Sequence, residues 1–328
     1  MIQTLYYSPD EQIQTDLALE ELPGIVQSET GVLWVDFEAT PPEKDEPILR
    51  QVFDFHPLAI DDALQETHVP KLDDWGSYLY IVLNAVKILP DTSGEIELLE
   101  LDVFLGKNYL VTHHDEPIQA IGNTMNSIQR DERFLKNGAD RVLYRLIDEL
   151  INDYMPVVEH LDVAIDQAED EIFSDARPEI LNRIFDFKRN VLRLRRVISP
   201  QREVLNKLAR DDYPVIDPLT RVYFRDVYDH LVRMNDIIES IRDLVSSTLD
   251  TYLSVVNNRM NDIMKTLTVI TTLFMPIAFI ASFFGMNFFT PVEPLNVWTG
   301  KIAFIIVIGM TILTPALIYW WIRQKGWM

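Results

Sequence analysis

The sequence predicts an α+β fold in which an α/β domain is followed by long helices that lead into a two-helix transmembrane hairpin. Three observations support this prediction. Residues 1–115 contain short β-rich segments, whereas residues 116–265 contain only two glycines and show helical periodicity. Beyond them lie two segments without any charged residue, 266–292 and 302–322. Each is long enough to cross a bilayer, which takes about 20 helical residues.

In the first region, β-strands are expected at residues 31–37, 78–89, 98–105 and 109–113, and helical stretches around 47–66. From residue 116 onward, helix breaks are expected at 137–138, 176–178 and 213–218, where glycine or proline interrupts the helical pattern. The acidic run 162–175 has possible partners across a helix hairpin in Arg189, Arg193, Arg195 and Arg196. The predicted regions are an α/β domain at 1–115, a helical region at 116–217, a pore helix at 218–284, an external loop at 285–301, a second span at 302–322 and a tail at 323–328.

Composition excludes several classes of function. The chain of 328 residues has 51 acidic and 29 basic residues, a formal charge of −22 that repels nucleic acid. It has no cysteine, so it has neither disulfides nor a thiolate nucleophile. Glycine-rich nucleotide loops and the HExxH pattern of zinc enzymes are missing as well. The sequence therefore indicates a protein that is not an enzyme.

The charges also predict an orientation in the membrane. Residues 1–20 are polar and acidic, unlike a secretory signal peptide. Arg259 and Lys265 precede the first span, and Arg323 and Lys325 follow the second. Because basic residues favour the cytoplasmic side, both termini are expected in the cytoplasm, with the hairpin surrounded by lipid in the cell (inner) membrane. The alternative is a soluble protein in which both apolar helices are buried.

The predicted pore helix carries a repeating pattern, which we call the polar seam. Its members are spaced by three, four or seven residues, as in a heptad: Asp250, Asn257, Asn261, Met264, Thr268, Thr271, Met275, Ala278 and Ser282. Small residues at such spacing are also typical of close helix packing in membranes. A dry interface would, however, leave the amides and the carboxylate unpaired, whereas a water-lined pore would satisfy them.

A single hairpin cannot enclose a pore, because most of the channel wall would be open to lipid. The seam therefore predicts a homo-oligomer built around it. Met264, Leu267 and Met275 would then form apolar rings that close the pore by dewetting.

The first span ends in Gly285-Met286-Asn287. Gly285 is a natural helix terminator, and Asn287 would contribute a ring of carboxamide oxygens at the pore mouth. Neutral oxygens suit Mg²⁺, which loses its water shell reluctantly. By itself, Gly-x-Asn is also an ordinary helix C-cap.

With this tripeptide after the first of two C-terminal spans, the sequence resembles the CorA family of magnesium channels. Residues 56–62, 224–230 and 267–285 are similar to family segments at matching separations. The resemblance implies a funnel-shaped homopentamer with a cytosolic α/β domain, a long pore helix and a selectivity filter at Gly285, Met286 and Asn287. One departure is the connecting loop 291–295, so the resemblance does not define a role for Glu293.

The resemblance also implies regulation. Carboxylates at cytosolic subunit interfaces would bind Mg²⁺ and hold the pore shut, at the matching positions Asp61, Asp62, Asp148 and Asp226. A dication that bridges two subunits would offset the repulsion between their carboxylates. Ordinary surface acids are the alternative. Transport of Co²⁺, Ni²⁺ or Zn²⁺ stays open, as does a membrane-anchored sensing or scaffold protein.

Overall fold

The computed structural model describes residues 1–65, 68–89, 95–131, 133–286 and 300–325. By its internal contacts the chain divides into two units, Met1–Asp250 and Thr251–Met328. This division falls inside a helix, while the region boundaries expected at 115 and 217 stay predictions.

The first unit contains a seven-stranded sheet in which only one pair of strands is parallel. In spatial order the strands are β2, β1, β3, β7, β6, β5 and β4. β3 and β7 are the parallel pair, and every other neighbouring pair is antiparallel. The strands are β1 (Ile2–Tyr7), β2 (Ile13–Thr15), β3 (Val32–Glu38), β4 (Lys71–Asp74), β5 (Leu79–Ile88), β6 (Ile96–Leu105) and β7 (Tyr109–His114).

Four of these strands match the β-rich segments that the sequence predicts: β3, β5, β6 and β7. The sequence pattern did not predict β1, β2 or β4. The sheet ends in β2 and β4, which are three and four residues long. β4 has the sequence Lys-Leu-Asp-Asp, which lacks the alternation of apolar residues by which strands are identified.

The sheet has a core on both faces, which explains why six of the seven residues of β3 are buried. Leu33, Val35 and Phe37 belong to a cluster with residues of the helices on one side. Within it the rings of Phe55 and Phe104 stack with centroids 4.2 Å apart. The helices of this part are α1 (Leu22–Ser28), α2 (Pro42–Gln51), α3 (Pro57–Gln65), α4 (Gln119–Arg130), α5 (Arg133–Lys136) and α6 (Ala139–Asn152).

Longer helices follow. They are α7 (Tyr154–Asp175), α8 (Pro178–Arg210), α9 (Pro218–Phe284) and α10 (Lys301–Gln324). The breaks expected at 176–178 and 213–218 are confirmed, whereas the interruption between α6 and α7 at residue 153 was not expected from the sequence. Two hydrogen bonds join α7 and α8 to β5: the Tyr154 hydroxyl donates to the Asn84 carbonyl (2.7 Å), and the Asn84 N–H donates to Gln201 Oε1 (3.0 Å). At about 1.5 Å per residue, α9 is about 100 Å long.

The expected pairing of the acidic run with four arginines is wrong for three of them. Arg189, Arg193 and Arg195 pair instead with Asp186, Glu95 and Glu239. The run is joined to α8 through Arg183, whose Nη1 lies 2.7 Å from Glu171 Oε2. The sequence predicts that this part of α8 is helical, but it does not show which side of α8 faces the acidic run. It therefore could not identify Arg183 as the partner.

Candidate ion pathway and cation sites

The polar seam lies on one exposed side of α9. All nine predicted pore-lining residues are exposed in the single chain: Asp250, Asn257, Asn261, Met264, Leu267, Thr268, Thr271, Met275 and Ala278. The covered side chains of the same stretch, including Tyr252 and Val269, fall on the other side at 100° per residue. The seam is therefore available to line a space outside the single chain.

The threonines of the seam present oxygen rather than hydrogen to that space. Thr268 Oγ1 donates to the carbonyl of Met264 (2.7 Å), and Thr271 Oγ1 donates to that of Leu267 (2.9 Å). Each hydroxyl has one proton and two lone pairs, so its oxygen can still accept a hydrogen bond. Hydrogen-bond acceptors of this kind suit the water shell of a cation.

The first apolar helix ends at the residue expected from the sequence. α9 stops at Phe284, and the Gly285 N–H closes the last turn by donating to the Ala281 carbonyl (2.9 Å). A Cβ on residue 285 would lie only 2.9 Å from that oxygen, so a larger side chain would have to displace it. Met286 is exposed, and Asn287 lies outside the described residues. The filter assigned to these three residues stays a prediction.

Two helices are long and apolar enough to cross a membrane. The most apolar 18-residue segments of α9 and α10 have mean hydropathies of 2.1 and 2.4. Only 6% of the residues of the first segment and 0% of the second are buried. Exposed apolar surface costs about 25 cal/mol per Å² in water. These helices are not core helices of the chain, which argues against the soluble alternative.

Two of the predicted regulatory carboxylates lie close together in the first unit. Asp148 on α6 is largely buried and pairs with Arg145 (Nη1 to Oδ2, 3.0 Å). Burial raises the pKa of Asp148; Arg145 lowers it, and the nearby charges of Glu149 and Asp226 raise it. Asp226 on α9 is exposed, with its Oδ2 3.9 Å from His230 Nε2. Like-charged carboxylates this close would gain from a shared cation.

The other two predicted ligands are on α3. Asp61 is exposed, whereas Asp62 forms an ion pair with Lys71 of β4. Burial lowers the pKa of Lys71, but the hydrogen bond and charge of Asp62 more than offset this, so the pKa lies above its usual value. Among the described residues, no hydrogen bond or ion pair joins Asp61 or Asp62 to Asp148 or Asp226.

The structure also assembles a group that the sequence analysis missed. Asp36 and Glu38 on β3 and His114 on β7 each place one ligand atom within 4.8 Å of the others. Burial lowers the pKa of His114, but the hydrogen bond and charge of Asp36 outweigh this and raise it. His114 directly follows the strand that the sequence predicts at 109–113. The sequence does not reveal that β3 ends beside it.

A sheet domain, long helices and two uncovered apolar spans, one carrying a polar seam, define a membrane protein of the ion-transporting class. The family model described as "CorA-like Mg2+ transporter protein" matches residues 29–324. The chain therefore belongs to the CorA family of divalent metal ion transporters, whose members transport ions and are not enzymes. This confirms the resemblance and the fold class predicted from the sequence.

Individual relatives cover most or all of the chain. YfjQ of Bacillus subtilis is 32% identical over 328 residues, which are 100% of this chain and 98% of the relative. The cobalt/magnesium transport protein CorA of Thermotoga maritima is 35% identical over 283 residues, 85% of this chain and 78% of the relative. The complete structure of the CorA magnesium transporter from Methanocaldococcus jannaschii has a TM-score of 0.84 over 100% of this chain and 99% of its own, at 21% identity.

Proposed function

We propose that the chain forms a Mg²⁺ influx channel of the CorA type, a homopentamer with both termini in the cytoplasm of the cell (inner) membrane. The observation that carries this proposal is the polar seam, which is exposed on α9 opposite the covered side. In the pentamer five copies of the seam surround a water-filled path. Met264, Leu267 and Met275 narrow it with apolar rings.

The filter in this proposal is Gly285-Met286-Asn287. Five Asn287 carboxamides hold the hydrated ion through its water, because a neutral ring binds a dication without trapping it. Entry is passive, since two charges moving inward gain about 4.6 kcal/mol per 100 mV. Co²⁺ is the second candidate cargo, because the Thermotoga relative is named as a cobalt/magnesium transport protein. A ring of amides would also discriminate poorly between hydrated Mg²⁺ and hydrated Ni²⁺ or Zn²⁺.

Gating in this proposal depends on Mg²⁺ bound between subunits. Asp61 and Asp62 of one subunit face Asp148 and Asp226 of the next. The like charges of Glu149 and Asp226 near Asp148 support this arrangement, because a bound dication would offset their repulsion. When cytosolic Mg²⁺ falls, the carboxylates repel, the interface loosens and the pore opens.

The filter is tested by Mg²⁺ flux into liposomes with a potential set by potassium. Asn287→Ala should abolish Mg²⁺ uptake while the oligomer stays intact by cross-linking. Asn296→Ala, in the same connecting segment but outside the tripeptide, is the matched control and should keep uptake. Undiminished, selective uptake by Asn287→Ala would contradict the filter. A scaffold protein would show no uptake even as wild type.

Gating is tested separately, by protease protection of the cytosolic part as Mg²⁺ is titrated. The wild type should become protected, and the double variant Asp62→Asn, Asp226→Asn should respond much less. Glu43→Gln with Asp170→Asn, which neutralises two other exposed acids, should respond as the wild type does. If the wild type and both double variants have the same Mg²⁺ midpoint of protease protection, Asp62 and Asp226 do not bind the regulatory ion.

A further inference from the structure

The parallel pairing of β3 and β7 brings together, at the carboxyl ends of these two interior strands, side chains that could hold a metal ion. Asp36 pairs with Thr112 and Glu38 with His114 in the register of these strands. Residues two apart along a strand point to the same face, so Asp36, Glu38, Thr112 and His114 share one face.

The histidine is held in the orientation that metal-bound histidines show. His114 Nδ1 lies 2.6 Å from the carbonyl oxygen of Glu116, and since a carbonyl can only accept, Nδ1 carries the proton and donates. A backbone carbonyl that accepts from the second ring nitrogen is the usual outer partner of a metal-bound histidine. It turns Nε2 toward the carboxylates.

Nε2 faces both oxygens of Asp36 at nearly equal distances, 3.3 Å to Oδ1 and 3.4 Å to Oδ2. These distances exceed the roughly 2.7–2.9 Å of a charged N–H···O hydrogen bond. Two ligand atoms bound to one tetrahedral ion at about 2.0–2.1 Å would lie about 3.4 Å apart. The spacing therefore allows Nε2 and Asp36 to bind one metal ion in place of their long direct hydrogen bond.

Asp36 is fixed from behind by a chain of two hydrogen bonds. The Trp34 indole N–H donates to Thr112 Oγ1 (3.0 Å), which leaves the hydroxyl proton free to donate to Asp36 Oδ1 (2.5 Å). Trp34, Thr112 and Asp36 are all buried. Such outer contacts set the direction of a ligating carboxylate.

A cation can reach this group from water. Glu38 is only partly buried. Because Asp36 and His114 are both buried, Glu38 offers the approach from solvent.

We propose that Asp36, Glu38 and His114 form a binding site for a transition-metal dication such as Zn²⁺ or Co²⁺ within the α/β domain. One imidazole and two carboxylates suit these ions, whereas Mg²⁺ prefers oxygen ligands alone. The site is distinct from the pore and from Asp61, Asp62, Asp148 and Asp226. It does not depend on the proposed Mg²⁺ flux.

The test is equilibrium dialysis of the full-length protein in detergent against micromolar Zn²⁺, with excess Mg²⁺ present to fill sites made of oxygen ligands alone. We expect one Zn²⁺ per chain that is lost in Glu38→Gln and in His114→Gln. Thr112→Val keeps all three ligands and should weaken binding about 10- to 100-fold, because it removes only the outer contact. Glu43→Gln and His160→Gln, at exposed positions, are the matched controls and should bind as the wild type does.

Glu38→Gln decides the result if the buried variants do not fold, because its side chain is partly exposed. Equal Zn²⁺ binding by the wild type and Glu38→Gln would overturn the proposal. So would a wild type that binds no Zn²⁺ under these conditions, and His114 would then be an ion-paired core residue.

Discussion

Polar side chains have different surroundings in the two units of the chain. In Met1–Asp250 several of them are buried with partners, as where the Tyr80 hydroxyl donates to Asp102 Oδ1 (2.6 Å). In residues 251–286, Asn257, Asn261 and Thr271 stand exposed beside exposed apolar side chains such as Phe279.

This difference shows what each unit needs in order to be stable. The first unit pairs many of its buried polar groups internally, as a folded domain in water requires. The apolar surface of the second unit requires lipid, while its polar seam requires water or other subunits. One helix meets both requirements because its two sides differ in composition.

The largest expected effect comes from placing a bulky side chain on the seam. Thr271→Trp should reduce Mg²⁺ flux into liposomes to the level of protein-free vesicles, because five indoles would fill the path. Ile270→Trp adds the same group one residue away, on the side that points out of the seam. It should keep flux, and equal loss in both variants would mean that the seam does not line the path.

Removing an aromatic ring should destabilise the buried core of the first unit more than the exposed surface of the second. Phe104→Ala, in the stacked cluster of the first unit, should destabilise that unit by about 3–5 kcal/mol, as buried phenylalanines do. Phe279→Ala removes a ring that is 69% exposed and should change the melting temperature in detergent far less. Similar shifts would contradict the comparison of the two units.

The burial of Glu100 in the first unit predicts that the stability of the folded protein depends on pH. Burial, with the nearby charge of Asp102, raises the pKa of Glu100 to about 7. The folded state therefore holds this proton more tightly, so stability present below the ordinary pKa is lost as pH rises through about 7. Glu100→Gln should be more stable than the wild type at pH 8, by up to about 3 kcal/mol, because it removes the buried charge.

Thermal unfolding of both proteins between pH 5 and pH 8 checks this prediction. The difference in melting temperature between Glu100→Gln and the wild type should decrease toward pH 5. Glu97→Gln on the same strand gives the control, because residues three apart on a strand lie on opposite faces of the sheet. A difference that does not vary with pH would mean that Glu100 is not the titrating group.

The smallest expected effect concerns Lys71, which competes with a bound cation for Asp62. Lys71→Met should lower the Mg²⁺ midpoint of protease protection by roughly 2- to 5-fold, because a half-exposed ion pair contributes about 0.2–1 kcal/mol. Lys87→Met removes a lysine paired with Glu116 and should leave the midpoint unchanged. An unchanged midpoint in Lys71→Met would mean that Asp62 does not bind the regulatory ion.

Sequence alone determined the features that depend on neighbours along the chain. The two spans, the end of α9 at Phe284 and the seam follow from hydropathy, one glycine and helical spacing. Each is fixed within a few turns of helix, so no distant contact can alter it. The resemblance to the CorA family also rested on short local segments, and the family match confirmed it.

Only the tertiary structure decided which distant residues meet. Asp36 and His114 are 78 positions apart and become neighbours because β3 pairs with β7 in parallel. Likewise, Lys71 reaches Asp62 because β4 returns beside α3. The sequence could not reveal these contacts, since strand order depends on which faces pack together in the whole sheet and not on any local pattern.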